Sequence, residues 1–286
     1  MNKFTKLLTL ATAAILSVGM LTSCGGDSDT ITVISREEGS GTRGAFVELF
    51  GIEEKDADGN KVDKTRSDAE FYSSTSVVLS SVAGDKNAIG YVSLGSLKDT
   101  VKALEIDGVA ATVENVKNGT YKITRPFNIA TKADASELAQ DFIAYIMSAE
   151  GQAVIEDNGY ISNGNTGAYA GTKPEGTLKI SGSSSISPLM EKLVEAYKKV
   201  NTGADIQLQQ SDSSTGIKDV AEGKSDIGMA SRELKDSELE QGLTPTVICT
   251  DGVAVIVSKD NSVNGLTSEQ IKKIYVGEIS AWSELN

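Results

Sequence analysis

The 286-residue chain contains no histidine. That one absence removes Ser-His-Asp and Cys-His nucleophile systems and HExxH zinc sites together. Neither Ser-x-x-Lys nor Gly-x-Ser-x-Gly occurs, so the usual covalent-hydrolase signatures are missing as well. Cysteine is scarce, with only Cys24 and Cys249, which is too few for a disulfide framework. Basic stripes are also lacking. Lysine and arginine are scattered among acids and the net charge is −13, which speaks against a nucleic-acid partner and for solubility. With no metal cluster and no evident nucleophile, the chain is expected to be neither an enzyme nor a cofactor carrier. Its length allows two compact lobes.

The opening stretch "MNKFTKLLTLATAAILSVGMLTSCGG" has Lys3 and Lys6, then an apolar run. The run is too short and wrongly flanked for a membrane span, and reads as a secretory signal over residues 1–23. "LTSC" resembles the bacterial lipobox, which makes Cys24 the lipidated first residue of a mature protein held on the extracytoplasmic face of the cell membrane. The alternative is an ordinary secretory signal that happens to contain a cysteine. Residues 24–30 form a polar tether. Cys249, in the apolar run "TVICTDGVAVIV", is then most simply a buried thiol.

Along the chain, strand-like and helix-like segments alternate, so the class is α/β. "ITVIS", "NAIGYVSLG", "TLKIS", "DIQLQQ", "SDIGMAS" and "VAVIV" read as strands. "TRGAFVELFG", "STSVVLSSVAG", "SELAQDFIAYIMSAEGQAVIEDNG", "SPLMEKLVEAYKKVN", "STGIKDVAEG" and "TSEQIKKIYVG" read as helices. Residues 100–130 look strand-like, with Gly108 and "NGT" as turns. The charged stretch 52–71 reads as turns, and its "DADGN" as a surface turn, because its glycine comes too early for a calcium loop. "YISNGNTGAYAGTKPEG" is a polar linker.

Three times a strand ends, a run of small hydroxyl residues follows, and a helix begins. The stretches are "VISREEGSGTR", "ISGSSSIS" and "QQSDSSTG". Such loops lie at the carboxyl ends of strands, where α/β sheets bind ligands. A helix N-terminus offers unpaired N–H groups and the positive end of its dipole. Serine and threonine add donors without charge, and glycine lets the backbone come close. Any one loop could be simple N-capping. Three in one chain, one holding an arginine, point to a cage for a small oxyanion. None of the three has the Gly-Lys-Ser/Thr of a Walker loop or a Rossmann fingerprint.

Here a resemblance becomes specific. "GSSSISPLMEKL", "QSDSSTGIKDVAEGKSDIGMASREL", "DGVAVIVSKDNSVNGLTSEQIKKIYVGEISAWSEL" and "ISREEGSGTRGAF" resemble the phosphate-binding lipoproteins of bacterial phosphate ABC transporters over nearly all of the mature chain. The resemblance implies a two-lobed, periplasmic-binding-protein-like α/β fold with a ligand cleft between the lobes. It implies capture of inorganic phosphate and delivery to membrane permease subunits by a lipid-anchored monomer. It implies ligand roles for Ser184, Ser185 and Ser213, and for Arg36, Ser40, Gly41 (through its backbone) and Thr42.

Two departures stand out. The segments occur in rotated order, with "GSGT" first and "WSELN" where the family would run on into "ITVISREEGSGTR". Each segment is present once, which favours circular permutation over a truncated or fused gene. One lobe would then comprise residues 27–120 plus 252–286 and the other 121–251, with Asn286 near Asp29 to Ile31. Second, where some members place a carboxylate that accepts the proton of hydrogen phosphate, this chain has Ser231 followed by Arg232. What replaces that carboxylate is left open by the sequence; the Ser231 hydroxyl can still accept a hydrogen bond, so Ser231 stays among the phosphate-binding candidates.

In "SREEGSGTR", Arg36 is expected to fork onto the anion, with Glu38 holding the fork and Glu37 facing solvent. A surface sensor or adhesin on the same fold, or a binder of another tetrahedral oxyanion, remains an alternative to transport.

Overall fold

A computed structural model describes residues 29–285. The signal segment and Cys24 therefore lie outside the described residues, as does Asn286. In chain order the first part runs β1 (Thr32–Arg36), α1 (Gly41–Leu49), β2 (Glu53–Lys55), β3 (Lys61–Asp63), β4 (Glu70–Tyr72), α2 (Thr75–Gly84), β5 (Ala88–Ser93), β6 (Val101–Ala103), β7 (Glu105–Ile106) and α3 (Val113–Lys117). The middle holds β8 (Thr124–Lys132), α4 (Glu137–Met147), α5 (Ala149–Asp157), β9 (Gly176–Ser183), α6 (Ser187–Val200), β10 (Ala204–Ser211), α7 (Ser213–Ala221), β11 (Ile227–Ala230) and α8 (Asp236–Leu239). The chain closes with β12 (Leu243–Ser258), β13 (Gly265–Leu266) and α9 (Ser268–Val276).

One sheet runs through the molecule in the order β10-β9-β11-β8-β12-β5-β1-β4, with β6 also on β12. Its two wings are parallel, β10 and β11 flanking β9 at one end and β4 and β5 flanking β1 at the other. Antiparallel β8 and β12 join them in the middle. Each wing has its own core. Side chains from Ile31 to Ile123 and from Val253 to Tyr275 form the first. Side chains from Phe127 to Cys249 form the second, beside which Ala130, Ile217, Val220, Ala230, Leu234 and Leu243 make a smaller cluster. Among the described residues, two strands carry the chain from one core to the other. The change falls between Ile123 and Phe127 on β8, and between Cys249 and Val253 on β12.

The local chemistry explains the elements. The apolar, β-branched run of β12 is buried on both faces from Ile248 to Ser258, apart from Thr250, as a central strand requires. Ser40, Ser74 and Asp212 cap α1, α2 and α7 by accepting from the amides of Arg43, Val77 and Thr215. Thr267 and Gln270 form a reciprocal capping box on α9, and Gly277 ends it with φ +85°. Helix α6 has Pro188 in its first turn and no side-chain cap.

Two readings of the sequence need correction. Residues 113–117 are helical rather than extended, because Thr112 caps them and accepts from the Asn115 amide. The charged stretch after α1 is not all turn. It contains the β2–β3 hairpin and β4, which pairs in parallel with β1. The "DADGN" segment is an exposed turn in which Asp56 accepts from the amides of Asp58 and Asn60. Cys249 is fully buried and unpaired, and burial pushes its thiol well above the ordinary range. Among the described residues no helix is long and apolar enough to cross a membrane.

Candidate functional site

The three hydroxyl loops come from both sides of the central strands and meet in one place. Arg36 ends β1, and its side chain is 3% exposed. Its Nη2 donates to Ser184 Oγ at 3.0 Å, across from the first core to the second. Thr42 Oγ1 and Ser185 Oγ are 2.7 Å apart. Gly41 lies so close to the opposite loop that a Cβ added there would meet Ser213 Oγ and sit 2.7 Å from Ser231 Oγ. A backbone bond, from Ser214 N–H to the Gly39 carbonyl at 3.1 Å, also crosses the cleft. Arg36, Gly41, Thr42, Ser184, Ser185, Ser213 and Ser231 are thus buried together, while Ser40, also buried, is bonded to the Arg43 amide at the start of α1.

Ser40 caps α1 with a lone pair, through the Arg43 amide at 3.3 Å, which leaves its hydroxyl proton free to point elsewhere. Capping and ligand binding are therefore compatible roles for this serine. On the second side, Ser183 donates to Ser231 Oγ at 2.9 Å, and Ser231 Oγ lies 3.4 Å from Ser213 Oγ. The Ser231 amide donates to Ser213 at 3.1 Å. Ser183 and Ser213 thus both lie within hydrogen-bond reach of Ser231 Oγ, and either Ser213 or Ser231 can be the donor between them.

The partner of Arg36 is not the one expected. Glu37 takes both Nε at 2.8 Å and Nη2 at 2.7 Å, a two-point fork, while Glu38 is exposed. The chain enters a turn after β1, and this puts the first acid beside the guanidinium and sends the second outward. Glu38 lines a surface depression of about 460 Å³ behind the Gly39–Ser40 turn, together with Arg43 and Arg232. Arg43 pairs with Asp63 at 2.7 Å and holds the Arg36 carbonyl at 3.1 Å. Arg232 forks onto Glu238 at 2.8 Å and reaches Ser214 at 3.1 Å.

Sequence reasoning missed three contributors. Thr75, the first residue of α2, is 4% exposed and touches Arg36, Ser184 and Ser185. The signal was present, because "FYSSTSVV" is a fourth strand–hydroxyl–helix loop. It was hidden by the charged surroundings of the three-residue β4. Arg125 and Asp251 form the second omission. They are buried, register-paired on β8 and β12, and bonded at 3.2 and 3.3 Å. Arg125 Nη1 also donates to the Ser231 carbonyl at 3.1 Å, so this pair supports the floor of the cleft. Burial pushes the Asp251 carboxyl up and the Arg125 guanidinium down, and their mutual attraction opposes both shifts. A lone arginine in a strand carries no local pattern, so nothing in the sequence marked it. Tyr91 is the third. It accepts from the Arg36 amide at 3.2 Å, stacks on Phe46 with centroids 3.8 Å apart, and has its phenol pushed up to about 12 by burial.

The site therefore holds two arginines, each neutralised by its own carboxylate, inside a shell of hydroxyls and helix N-termini. Such a set can strip water from a small anion and replace it with fixed donors. Among the described residues no group of acids and cysteines is placed to hold a metal.

Residues 3–150 and 167–286 match the PBP superfamily domain. The chain belongs to the PBP superfamily. It is 52% identical over 292 aligned positions, spanning 100% of both chains, to phosphate-binding protein PstS 2 of Streptococcus agalactiae serotype V. It is 46% identical over 99% of both chains to phosphate-binding protein PstS 2 of Streptococcus pneumoniae serotype 4. A crystal structure of a phosphate ABC transporter phosphate-binding protein from S. pneumoniae TIGR4 superposes with a TM-score of 0.70 at 47% identity, covering 90% of this chain and 100% of that one. The mixed α/β architecture with its two cores is thus the superfamily's fold.

Proposed function

We infer that this protein captures inorganic phosphate and presents it to an ABC transporter for uptake. It is a binding component rather than an enzyme. The observation that carries this reading is the meeting of Arg36, Thr42, Ser184, Ser185 and Ser213 in one buried cleft between two cores. Relatives similar over their full length are named for phosphate binding.

Arg36 supplies the charge, while Ser40, Thr42, Ser184, Ser185 and Ser213 supply neutral donors, joined by the Gly41 amide. Ser231 takes the place of a carboxylate acceptor. It accepts from Ser183 and keeps a lone pair for the proton of hydrogen phosphate. Because the donors are local and mostly uncharged, a net charge of −13 does not prevent anion binding. Micromolar or tighter affinity corresponds to about −8 kcal/mol or better.

We divide the lobes where the core changes, between Ile123 and Phe127 on β8 and between Cys249 and Val253 on β12, beside the Arg125–Asp251 crossing. Cys24 anchors the monomer by lipid outside the cell, beside permease subunits. The segment order is a circular permutation. The Ile31 amide bonds the Ser280 carbonyl at 2.8 Å and the Trp282 amide bonds the Asp29 carbonyl at 3.0 Å, so the two end segments are neighbours. The linker between α5 and β9 is pinned to the second core through Asp141, which accepts from Tyr169 Oη at 2.6 Å and from the Thr172 amide at 2.8 Å.

Calorimetric titration of residues 25–286 with phosphate, sulfate and molybdate tests the assignment. Phosphate should bind at micromolar Kd or tighter and far ahead of sulfate, which has no proton to offer Ser231. Equal affinity for the two anions would refute it.

A further inference from the structure

Ser184 Oγ sits at a focus of donors. Arg36 Nη2 reaches it at 3.0 Å, the Thr75 amide at 3.3 Å, and Thr75 Oγ1 lies 3.3 Å away. A neutral hydroxyl oxygen has two lone pairs, whereas a phosphate oxygen carries more electron density and takes charge-assisted bonds. The arrangement is that of donors collected around a single anionic oxygen, with a serine oxygen in that position.

Thr75 is built for this. Ser74 caps α2 through the Val77 amide, so the cap does not use the Thr75 N–H, which instead crosses the cleft. The Thr75 hydroxyl can only accept from Arg36 Nη1, at 3.3 Å, because guanidinium has no acceptor. Its own proton is left to point into the cleft, toward Ser184 at 3.3 Å or Ser185 at 3.1 Å, contacts in which either hydroxyl can be the donor. Arg36 in turn has five N–H groups. Glu37, the Tyr72 carbonyl, Ser184 and Thr75 engage Nε, both Nη2 positions and one Nη1 position, which leaves one Nη1–H beside Thr75.

We propose that Thr75 is a direct ligand of the bound oxyanion, donating both its amide and its hydroxyl to the oxygen that displaces Ser184 Oγ. This rests on the phosphate reading above. It adds a fourth loop to the three that the sequence motifs single out, and it makes the first lobe grip the anion from two helices, α1 and α2. Arg36 stays aligned between them because Thr75 accepts from it in both states.

The test compares the parent with Thr75→Val, which keeps the shape and the amide but loses the hydroxyl, and with Thr75→Ser, which restores it. Thr75→Val should weaken phosphate binding about tenfold, the worth of one charge-assisted bond. Thr75→Ser should stay within about threefold of the parent in affinity and match its unliganded melting temperature. Parent-like binding by Thr75→Val overturns the proposal. A parent that binds no phosphate overturns the functional reading and this inference with it. The amide is tested separately in the ¹⁵N-labelled parent saturated with phosphate, which also serves if Thr75→Val fails to fold. A through-hydrogen-bond coupling between the Thr75 nitrogen and ³¹P is expected, and its absence overturns the amide contact.

Discussion

Asp251 Oδ2 receives Arg125 Nη2 at 3.2 Å and Nε at 3.3 Å, on the two strands that carry the chain between its cores. Ser93 donates to the other carboxylate oxygen at 2.9 Å. Both ionic side chains are almost fully buried, 2% and 1% exposed.

Breaking this pair on one side leaves a buried charge without a partner. Asp251→Asn should cost about 3–5 kcal/mol in urea unfolding. Replacing both members, Arg125→Met with Asp251→Leu, should recover most of that loss. An Asp251→Asn protein as stable as the parent would show that the pair does not carry the crossing.

Arg36→Ala should weaken phosphate binding by at least about a hundredfold, since it removes a charged fork from a buried anion. Arg43→Ala and Arg232→Ala should cost far less, because Asp63 and Glu238 already occupy their guanidinium groups. Glu37→Gln should loosen Arg36 and weaken binding several-fold, while Glu38→Gln should leave it unchanged. A larger effect at Glu38 than at Glu37 would contradict the pairing at 2.7 and 2.8 Å.

Gly41→Ala should separate binding from stability. The new methyl meets Ser213 and Ser231 across the cleft, with Ser213 Cβ at 3.1 Å, so it wedges the lobes apart without entering either core. Phosphate affinity should drop at least about tenfold with little change in unliganded melting. Gly216→Ala should do the reverse of this. Its Cβ would lie 2.5 Å from Gly182 Cα and 2.7 Å from the Ser181 carbonyl, backbone that cannot step aside, so the melting temperature itself should fall. Matching melting curves for the two variants would remove the distinction.

Acid should destabilise the protein through two partly buried carboxylates. Burial pushes Glu238 up, but Arg232 and the Lys235 amide outweigh it and hold the group below its ordinary value. At Asp63 burial is likewise outweighed, by the Thr65 hydroxyl and amide and by Arg43. A carboxylate depressed on folding contributes fully above its unfolded pKa of about 4 and loses that contribution as pH falls through the folded value. The melting temperature should stay level from about pH 7 to 5 and decline below about pH 4, less steeply in Glu238→Gln. Identical acid slopes for parent and variant would exclude Glu238 from the effect.

The strands, the helices and three anion loops were legible in the sequence because their determinants are local. A β-branched run makes a strand, a serine or aspartate caps a helix, and small hydroxyl residues between them make a donor loop wherever they fall in the chain. The absence of histidine is equally local, and it alone excludes whole reaction classes. Which of two adjacent glutamates holds Arg36 was not local. It depended on a turn after β1 whose direction is set by Tyr72 on β4, since the Glu37 amide bonds the Tyr72 carbonyl at 3.1 Å. Arg125 was invisible for the same reason, and Thr75 sits in a hydroxyl loop whose place in the cleft was equally non-local. Each acquires its role from residues more than a hundred positions away, Ser184 in one case and Asp251 in the other. Residue type determined what could donate, accept or cap. Only the packing of two cores about two crossing strands decided which of those groups share a buried cleft, because long-range pairing is paid for by the whole fold and leaves no trace in the neighbouring sequence.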